Sequence, residues 1–185
     1  MAFQQNGYAY VPCVTYDVWR LYALLHGVNV DFAWGNQCWD ICALLWYQYG
    51  LRLQTGNGYA WGCWTLMRYQ NARSPFVLIT NKNEIKRGDI VVFNRNTSYY
   101  SGHIAFADQN YTGGSKIRCL GQNQGQGTAS GTPSNIKSLN ANEILGAFRN
   151  TKWTPVVPPT PPTPTPTRSG KFPWVLYARK FRQSR

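Results

Sequence analysis

The spacing of apolar residues near the start of the chain predicts a helix. This first helix begins after Thr15, which is a good capping residue, and ends at Gly27. The apolar residues of its buried face recur every three or four positions, at Val18, Leu21, Tyr22 and Leu25.

A second apolar run predicts a helix that begins at about Gln37 or Cys38, runs to Tyr49 and is ended by Gly50. Apolar residues cover nearly its whole circumference, so we expect this helix at the centre of the core. A third helical piece is predicted within residues 60–69.

After residue 75 the pattern changes to short segments of β-branched and aromatic residues, each bounded by Gly, Asn or Ser. The predicted strands span residues 76–80, 90–93, 103–107, 117–120 and 145–148. Helices that precede an antiparallel sheet are typical of the α+β class. The chain of 185 residues is long enough for one such domain, which we place at residues 1–150.

The last 35 residues differ from the rest in composition. Residues 151–168 contain PVVPPTPPTPTPT and predict an extended linker, because proline breaks both helix and sheet. Residues 169–185 mix aromatic and basic side chains and are too few to fold alone. Residues 151–185 hold 7 Lys/Arg and no acid (+7), and residues 1–150 hold 12 Lys/Arg and 7 Asp/Glu (+5). This basic excess predicts an anionic partner.

The chain is not expected to span a membrane. Its longest uninterrupted apolar run, residues 41–47, has seven residues, whereas a spanning helix needs about 20. The first twelve residues lack a basic start followed by an apolar block, so we expect no secretory signal.

One cysteine lies where a nucleophile would be favoured. The five cysteines form no CxxC pair, which argues against a zinc ribbon. Cys38 starts the second predicted helix, where free backbone N–H groups and the helix dipole favour thiolate, and we expect its pKa to be lowered. The same N–H groups, with the Gln37 side-chain amide as a second donor, suit an oxyanion.

The base for such a thiol must be one of two histidines. His26 falls in the last turn of the first helix, where the dipole alone accounts for it. His103 opens a predicted strand after a small-residue turn, which fixes its imidazole on the sheet. A helix-start thiol facing an imidazole on a strand is the geometry of papain-like cysteine hydrolases.

Four motifs, WGNQCWDIC, KRGDIVVF, GHIAF and LGQNQG, follow one another along the chain. Together they resemble the CHAP domain, the cysteine- and histidine-dependent amidohydrolase/peptidase of phage lysins and bacterial cell-wall hydrolases, over residues 10 to 150. The resemblance implies a papain-like fold, Cys38 as nucleophile, His103 as general base and an amide bond of peptidoglycan as substrate. A dipeptide-cleaving endopeptidase family of the same clan is the alternative, although it is less expected to have Gln before the cysteine.

The third catalytic residue departs from the family pattern. Many members carry an acidic residue two positions before an asparagine, and this chain has Gly121 there. By resemblance, Asn123 accepts the imidazole N–H and orients the ring. Asp108, five residues after His103, is the alternative; its odd offset puts it on the other face of a regular strand, so we rank it second.

Some lysin CHAP domains also have a calcium loop, and Asn29, Asp31 and Asp40 match its spacing. Backbone carbonyls at Ala33 and Gly35 would add oxygen ligands to this set. The alternative is that Asp40 caps the helix and Asp31 serves a turn. Beyond this structural calcium, no cofactor is expected.

Tryptophans near the nucleophile have two interpretations. Trp39 and Trp46 lie on the central helix and are expected in the core. Trp34, Trp61 and Trp64 fit either a groove wall for a glycopeptide or the core, and the sequence does not distinguish these.

Two classes of function remain. The first is a peptidoglycan hydrolase, an N-acetylmuramoyl-L-alanine amidase or a peptide endopeptidase, whose basic tail binds anionic wall polymers. It would reach the wall by holin-type release or as part of a virion, in contact with phage proteins. The second is a non-catalytic cationic protein that binds cell wall or nucleic acid on a papain-like fold. The globular part has no nucleic-acid-binding motif, and the Cys38–His103 pair favours the enzyme.

Overall fold

The computed structural model describes residues 3–5, 8–10, 24–31, 35–69, 75–96, 99–124 and 132–153. Most of the predicted linker, the whole basic segment and most of the first predicted helix lie outside the described residues. The end of that helix is described: residues 24 and 25 are helical, and Gly27 follows in a turn with a φ of 76°.

Two further helices precede the main sheet within the described residues, where the apolar pattern predicts the second and third helices. Helix α1 spans Cys38–Gln48 and helix α2 spans Gly62–Tyr69. Gly50, with a φ of 67°, lies just beyond the end of α1. Among the described helices, none is long and apolar enough to cross a membrane.

The described strands form a two-stranded hairpin and a six-stranded sheet. The hairpin pairs β1 (Phe3–Gln5) with β2 (Tyr8–Tyr10). The sheet has the order β3-β8-β4-β5-β6-β7, and all its neighbours are antiparallel. Its strands are β3 (Phe76–Ile79), β4 (Ile90–Phe93), β5 (His103–Ala107), β6 (Lys116–Gly121), β7 (Asn135–Asn140) and β8 (Ile144–Asn150).

The five predicted strands are all present, within one or two residues at each end. The pattern missed the hairpin and β7. Strand β7 is an edge strand that buries only one of its six residues well, so its sequence, NIKSLN, carries little apolar signal. Two short 3₁₀ turns, Lys82–Glu84 and Ala141–Glu143, also lack a clear sequence signal.

Side chains alternate between the two faces of the sheet and form two apolar clusters. On one face Ile104 and Phe106 of β5 pack with α1, where the ring of Trp46 stacks on Phe76 at 4.1 Å between centroids. On the other face Ala105 and Ala107 belong to a second cluster. Helix α1 is buried on most sides, as its apolar circumference predicts.

The sheet opens at the first residues of β5. Strand β5 pairs with β4 from His103 to Phe106, but with β6 only at Phe106 and Ala107. Strand β6 nevertheless continues to Gly121, paired with β7. Residues 103–105 therefore present one backbone edge to something other than β6, and the start of α1 lies there.

Candidate active site

Cys38 is the first residue of α1. Gln37 precedes it in an extended conformation, with φ −87° and ψ 161°. The backbone N–H of Gln37 donates to Asp40 Oδ2 at 2.5 Å, so the Asp40 carboxylate caps the start of the helix. This fixes the backbone that carries the thiol, and it is the capping role that the sequence left open for Asp40.

The environment of Cys38 raises its pKa instead of lowering it. Burial is the largest effect and, with the negative charge of Asp40, raises the pKa of Cys38 to about 11. The backbone N–H groups of Ile104, Cys38 and Trp39 act in the opposite direction because they hydrogen-bond the sulfur. The expected lowering was therefore wrong: the helix start supplies N–H groups, but loss of water outweighs them. The residue as a whole stays partly exposed.

His103 is the first residue of β5 and is 1% exposed. Its ring stacks on Tyr99, with 4.9 Å between centroids and 28° between planes, and lies 6.1 Å from Phe93. Burial lowers the pKa of His103 to about 4, although a hydrogen bond with Gln124 acts to raise it. The imidazole is therefore neutral at pH 7 and able to accept a proton.

The residue before His103 has to be glycine. Gly102 has a φ of 67°, and a Cβ there would come within 2.7 Å of both the Phe93 carbonyl oxygen and the Trp61 Cβ. The small-residue turn that the sequence shows before the histidine is thus required by its packing. His26, in contrast, lies exposed in the turn at residues 26–27, as expected of a residue without a catalytic role.

The thiol lies at the open edge of β5, beside the residue that follows the imidazole in the strand. The backbone N–H that hydrogen-bonds the sulfur belongs to Ile104, the residue directly after His103. Since Ile104 faces α1 and alternate residues face opposite sides, His103 lies on the other face of the strand. Cys38 and His103 therefore approach the same stretch of backbone from two sides.

The hydrogen-bond partner of the His103 ring is the side-chain oxygen of Gln124, and not Asn123. Gln124 Oε1 lies 3.2 Å from His103 Nε2. Asn123 has a φ of 54°, and its backbone N–H donates to the Thr132 carbonyl. The chain turns at Asn123 and brings the next side chain back under the sheet, so the expectation placed the partner one residue too early.

Asp108 is held away from His103 by two arginines. Its two carboxylate oxygens each lie 3.1 Å from a guanidinium nitrogen, one of Arg87 and one of Arg118. Five residues along a strand separate it from His103 by roughly 16 Å of backbone. Asp108 as an alternative third residue was therefore wrong, because its carboxylate belongs to an ion-pair network at the far end of β5.

The model of the CHAP domain matches residues 27–123, which is more than half of the chain. The chain belongs to the CHAP domain family. A comparison with curated protein sequences gave no match.

Solved structures show the same fold as this CHAP domain. A wild-type endolysin, LysIME-EF1, superposes with a TM-score of 0.57 at 21% identity, over 72% of this chain and 62% of that one. Ly7917 gives a TM-score of 0.50 at 16% identity, over 75% of this chain and 63% of that one. The chain thus spans less than two thirds of either protein. The papain-like α+β expectation is confirmed for the small antiparallel sheet and its few helices.

A buried glutamine of the CHAP domain, Gln122, connects the end of β6 to the backbone that precedes Cys38. Gln122 is fully buried; its amide nitrogen donates to the Val30 carbonyl at 2.7 Å and to the Gln37 carbonyl at 3.0 Å, and its oxygen accepts from the Val30 N–H at 2.7 Å. One side chain at the end of β6 therefore holds both the loop before α1 and the residue before Cys38. The sequence showed it only as part of LGQNQG.

Three buried side-chain oxygens lie between residues 29 and 36, in the loop that leads to α1. Among the residues that the structure describes, Asn29 Oδ1, Asp31 Oδ2 and Asn36 Oδ1 accept no hydrogen bond. The other oxygen of Asp31 accepts from the Gly35 N–H at 3.2 Å. Within the same described ranges no three His, Cys, Asp or Glu side chains cluster as metal ligands, so a cation here would depend on amide and carbonyl oxygens.

The described tryptophans divide between buried and half-buried positions. Trp46 and Trp64 are buried. Trp39 is half-buried, and its ring N–H donates a hydrogen bond to the Leu53 carbonyl. Trp61 is half-buried beside the turn before His103: its backbone N–H donates to the Ser101 carbonyl at 3.3 Å. Trp34 lies outside the described residues.

Replacing Gln122 by alanine should destabilise the protein by about 2–4 kcal/mol, because it removes three buried hydrogen bonds and leaves backbone groups of Val30 and Gln37 with fewer partners. Urea unfolding measures the change. Gln54→Ala is the matched control, since Gln54 is exposed. Equal unfolding midpoints for the two variants would contradict the role of Gln122.

The low pKa of His103 should make the fold sensitive to acid. The unfolded chain has a histidine pKa near 6.5 and the folded protein about 4, so the unfolded state binds more protons between these values. Stability should therefore fall as the pH drops from 6.5 to 4, by on the order of 3 kcal/mol.

Urea unfolding between pH 7 and 4 measures this loss, and His103→Gln should remove it while His26→Gln should keep it. In His26→Gln a single imidazole signal remains, so its NMR titration reads His103 directly. A His103 midpoint near 6.5 would contradict the burial argument.

Proposed function

We propose that this protein is a peptidoglycan hydrolase that cleaves an amide bond by cysteine–histidine catalysis. The observation that carries the proposal is the thiol of Cys38 at the start of α1, against the backbone N–H that follows the buried, neutral His103. Membership of the CHAP family and the fold shared with an endolysin support the same chemistry. The scissile bond is either the N-acetylmuramoyl-L-alanine amide or a peptide bond of the stem or cross-bridge.

In this mechanism His103 acts as a general base. With a raised pKa for Cys38 and a lowered one for His103, the resting pair is a neutral thiol and a neutral imidazole. As the sulfur attacks the carbonyl carbon, its proton passes to the imidazole, which then gives that proton to the leaving amine. Water, activated by the same imidazole, then hydrolyses the thioester and frees the thiol.

Backbone N–H groups around the sulfur would stabilise the tetrahedral intermediate. Those of Cys38, Trp39 and Ile104 are already directed at the sulfur. The backbone N–H of Gln37 is used by Asp40, so Gln37 would contribute through its side-chain amide. Burial strengthens the interaction of each N–H donor with the developing negative charge, because little water competes for that charge.

An aromatic surface beside His103 is suited to a glycopeptide. Tyr100 is 71% exposed and meets the ring of Tyr59 edge to face at 5.8 Å, and the Arg95 guanidinium lies 5.7 Å from the Trp61 ring. Sugar faces and peptide side chains pack well on such rings. The basic segment at residues 169–185 would add attraction to anionic wall polymers. Delivery by holin-type release or in a virion would bring the enzyme to the wall.

Cys38→Ala tests the proposal directly. Clearing of purified cell walls should fall by about 10³-fold or more, since the nucleophile is lost. Cys119→Ala, a buried cysteine of the other apolar cluster, should clear walls like the parent. Mass spectrometry of the fragments identifies the bond: an amidase exposes the amine of L-alanine, and an endopeptidase exposes one further along the peptide. Equal clearing by the parent and Cys38→Ala would reject the enzyme.

We further propose that the loop before α1 binds a structural calcium ion. Three buried oxygens without hydrogen-bond partners, on Asn29, Asp31 and Asn36, suit an oxygen-seeking cation. Asp40, expected in this set, has a carboxylate oxygen in the helix cap, and Asn36 is a ligand that the sequence did not suggest. The ion would fix the loop that Gln122 also holds and would take no part in the chemistry.

Millimolar calcium should raise the melting temperature of the parent, and a chelator should lower it again, because binding stabilises only the folded state. Asp31→Asn should lose the response, whereas Glu84→Gln, on the exposed 3₁₀ turn, should keep it. No binding heat in calorimetry and no thermal shift with calcium or chelator would rule out the site.

A further inference from the structure

The side chain of Gln124 is locked in one orientation. It is 1% exposed, and its amide nitrogen donates to the Asn135 carbonyl at 2.6 Å, to the Cys119 carbonyl at 3.2 Å and, at 3.3 Å, to Asn135 Oδ1. All of these partners are oxygens that accept. Both hydrogens of the amide are therefore used away from the histidine, and the amide oxygen must face it.

This orientation decides which ring nitrogen of His103 carries the proton. Gln124 Oε1 lies 3.2 Å from His103 Nε2, and an amide oxygen only accepts hydrogen bonds. The Nε2 atom must therefore be the N–H. A neutral imidazole has one N–H, so Nδ1 holds the lone pair and is the ring nitrogen that can accept a proton.

Gly121 provides the space for this arrangement. A Cβ built on residue 121 would lie 2.7 Å from Gln124 Oε1, 2.8 Å from Gln124 Cδ and 2.9 Å from the Ala105 Cβ. No side chain fits at residue 121 while the Gln124 amide is in place. The absence of an acidic residue at position 121 and the presence of Gln124 are therefore linked. The Gln124 amide occupies the space that an acidic side chain at position 121 would need.

We propose that Gln124 is the positioning residue of the catalytic pair, and that it takes over from residue 121 the task of holding His103 in the Nε2–H form. The inference rests on the proposed hydrolase function, which it extends by a named residue and a named proton. A neutral amide fixes the tautomer and the ring plane without adding a negative charge next to the imidazole. His103 is therefore a weaker base than it would be beside a carboxylate.

The tautomer can be read without any substrate. In ¹⁵N-labelled protein, the chemical shifts of the two ring nitrogens of His103 distinguish the Nε2–H form from the Nδ1–H form. The parent should show the Nε2–H form alone at pH 7, and Gln124→Ala should show a mixture. Asn123→Gly, which suits the positive φ of that residue, should keep the parent tautomer. A parent in the Nδ1–H form would overturn the proposal.

Two variants connect the tautomer to turnover on purified peptidoglycan. Gln124→Ala should lower kcat by about 10²-fold with little change in KM, because proton transfer and not binding is impaired. Gln124→Glu should restore part of kcat and raise the pKa of His103 by about 1 to 3, since a carboxylate stabilises imidazolium. The acid limb of its pH–rate profile should move up by the same amount.

Failure of this inference and failure of the hydrolase proposal give different results. Gln124→Ala with the parent kcat and a single Nε2–H tautomer overturns the role of Gln124 and leaves the hydrolase standing. Wall clearing that survives Cys38→Ala rejects the hydrolase, while the tautomer spectra still decide what Gln124 does to His103. If Gln124→Ala fails to fold, the shifts of the parent and of Gln124→Glu decide the matter.

Discussion

The early end of pairing between β5 and β6 is the constraint on which the site depends. Because β6 pairs with β5 only at Phe106 and Ala107, the backbone N–H of Ile104 can hydrogen-bond the sulfur of Cys38. The same opening gives His103 a place among Tyr99, Phe93 and Gln124 instead of a neighbouring strand. A fully paired β5 would have no position for the thiol at this edge.

Two glutamines of the motif LGQNQG, Gln122 and Gln124, make hydrogen bonds on opposite faces of the sheet, at the end where β5 and β6 are unpaired. Gln122 lies on the side of α1. It hydrogen-bonds the backbone at both ends of the loop before α1, at Val30 and Gln37, and this is the loop proposed to bind calcium. Gln124 returns on the other face and meets the imidazole. The turn between them depends on Asn123, whose φ of 54° is a conformation that asparagine tolerates better than most residues. The residues at the end of β6 thus position both Cys38, through the Gln37 backbone, and His103.

The sequence predicted the elements that have strong periodicity or clear end signals. Helix α1 and strands β4 and β5 were predicted almost to the residue, because apolar runs bounded by Gly or Asn are a local signal. Edge strand β7, half polar, gave no such signal. The helix-start position selected Cys38, setting His26 aside left His103, and the family resemblance implied their roles. Counting along LGQNQG could not show that the chain turns at Asn123. The raised pKa of Cys38 is also a tertiary effect, since the helix start alone predicts the opposite direction.

Burial keeps Cys38 and His103 as a neutral pair at rest, and the pH dependence of Cys38 alkylation reports the state of that pair. Peptide mass spectrometry after timed exposure to iodoacetamide gives the rate at Cys38 alone, separately from the other cysteines. The rate should climb steadily with pH toward the thiol pKa of about 11. A rate that is already high and flat between pH 5 and 8 would mean a preformed thiolate–imidazolium pair, and the pair would then not be neutral at rest.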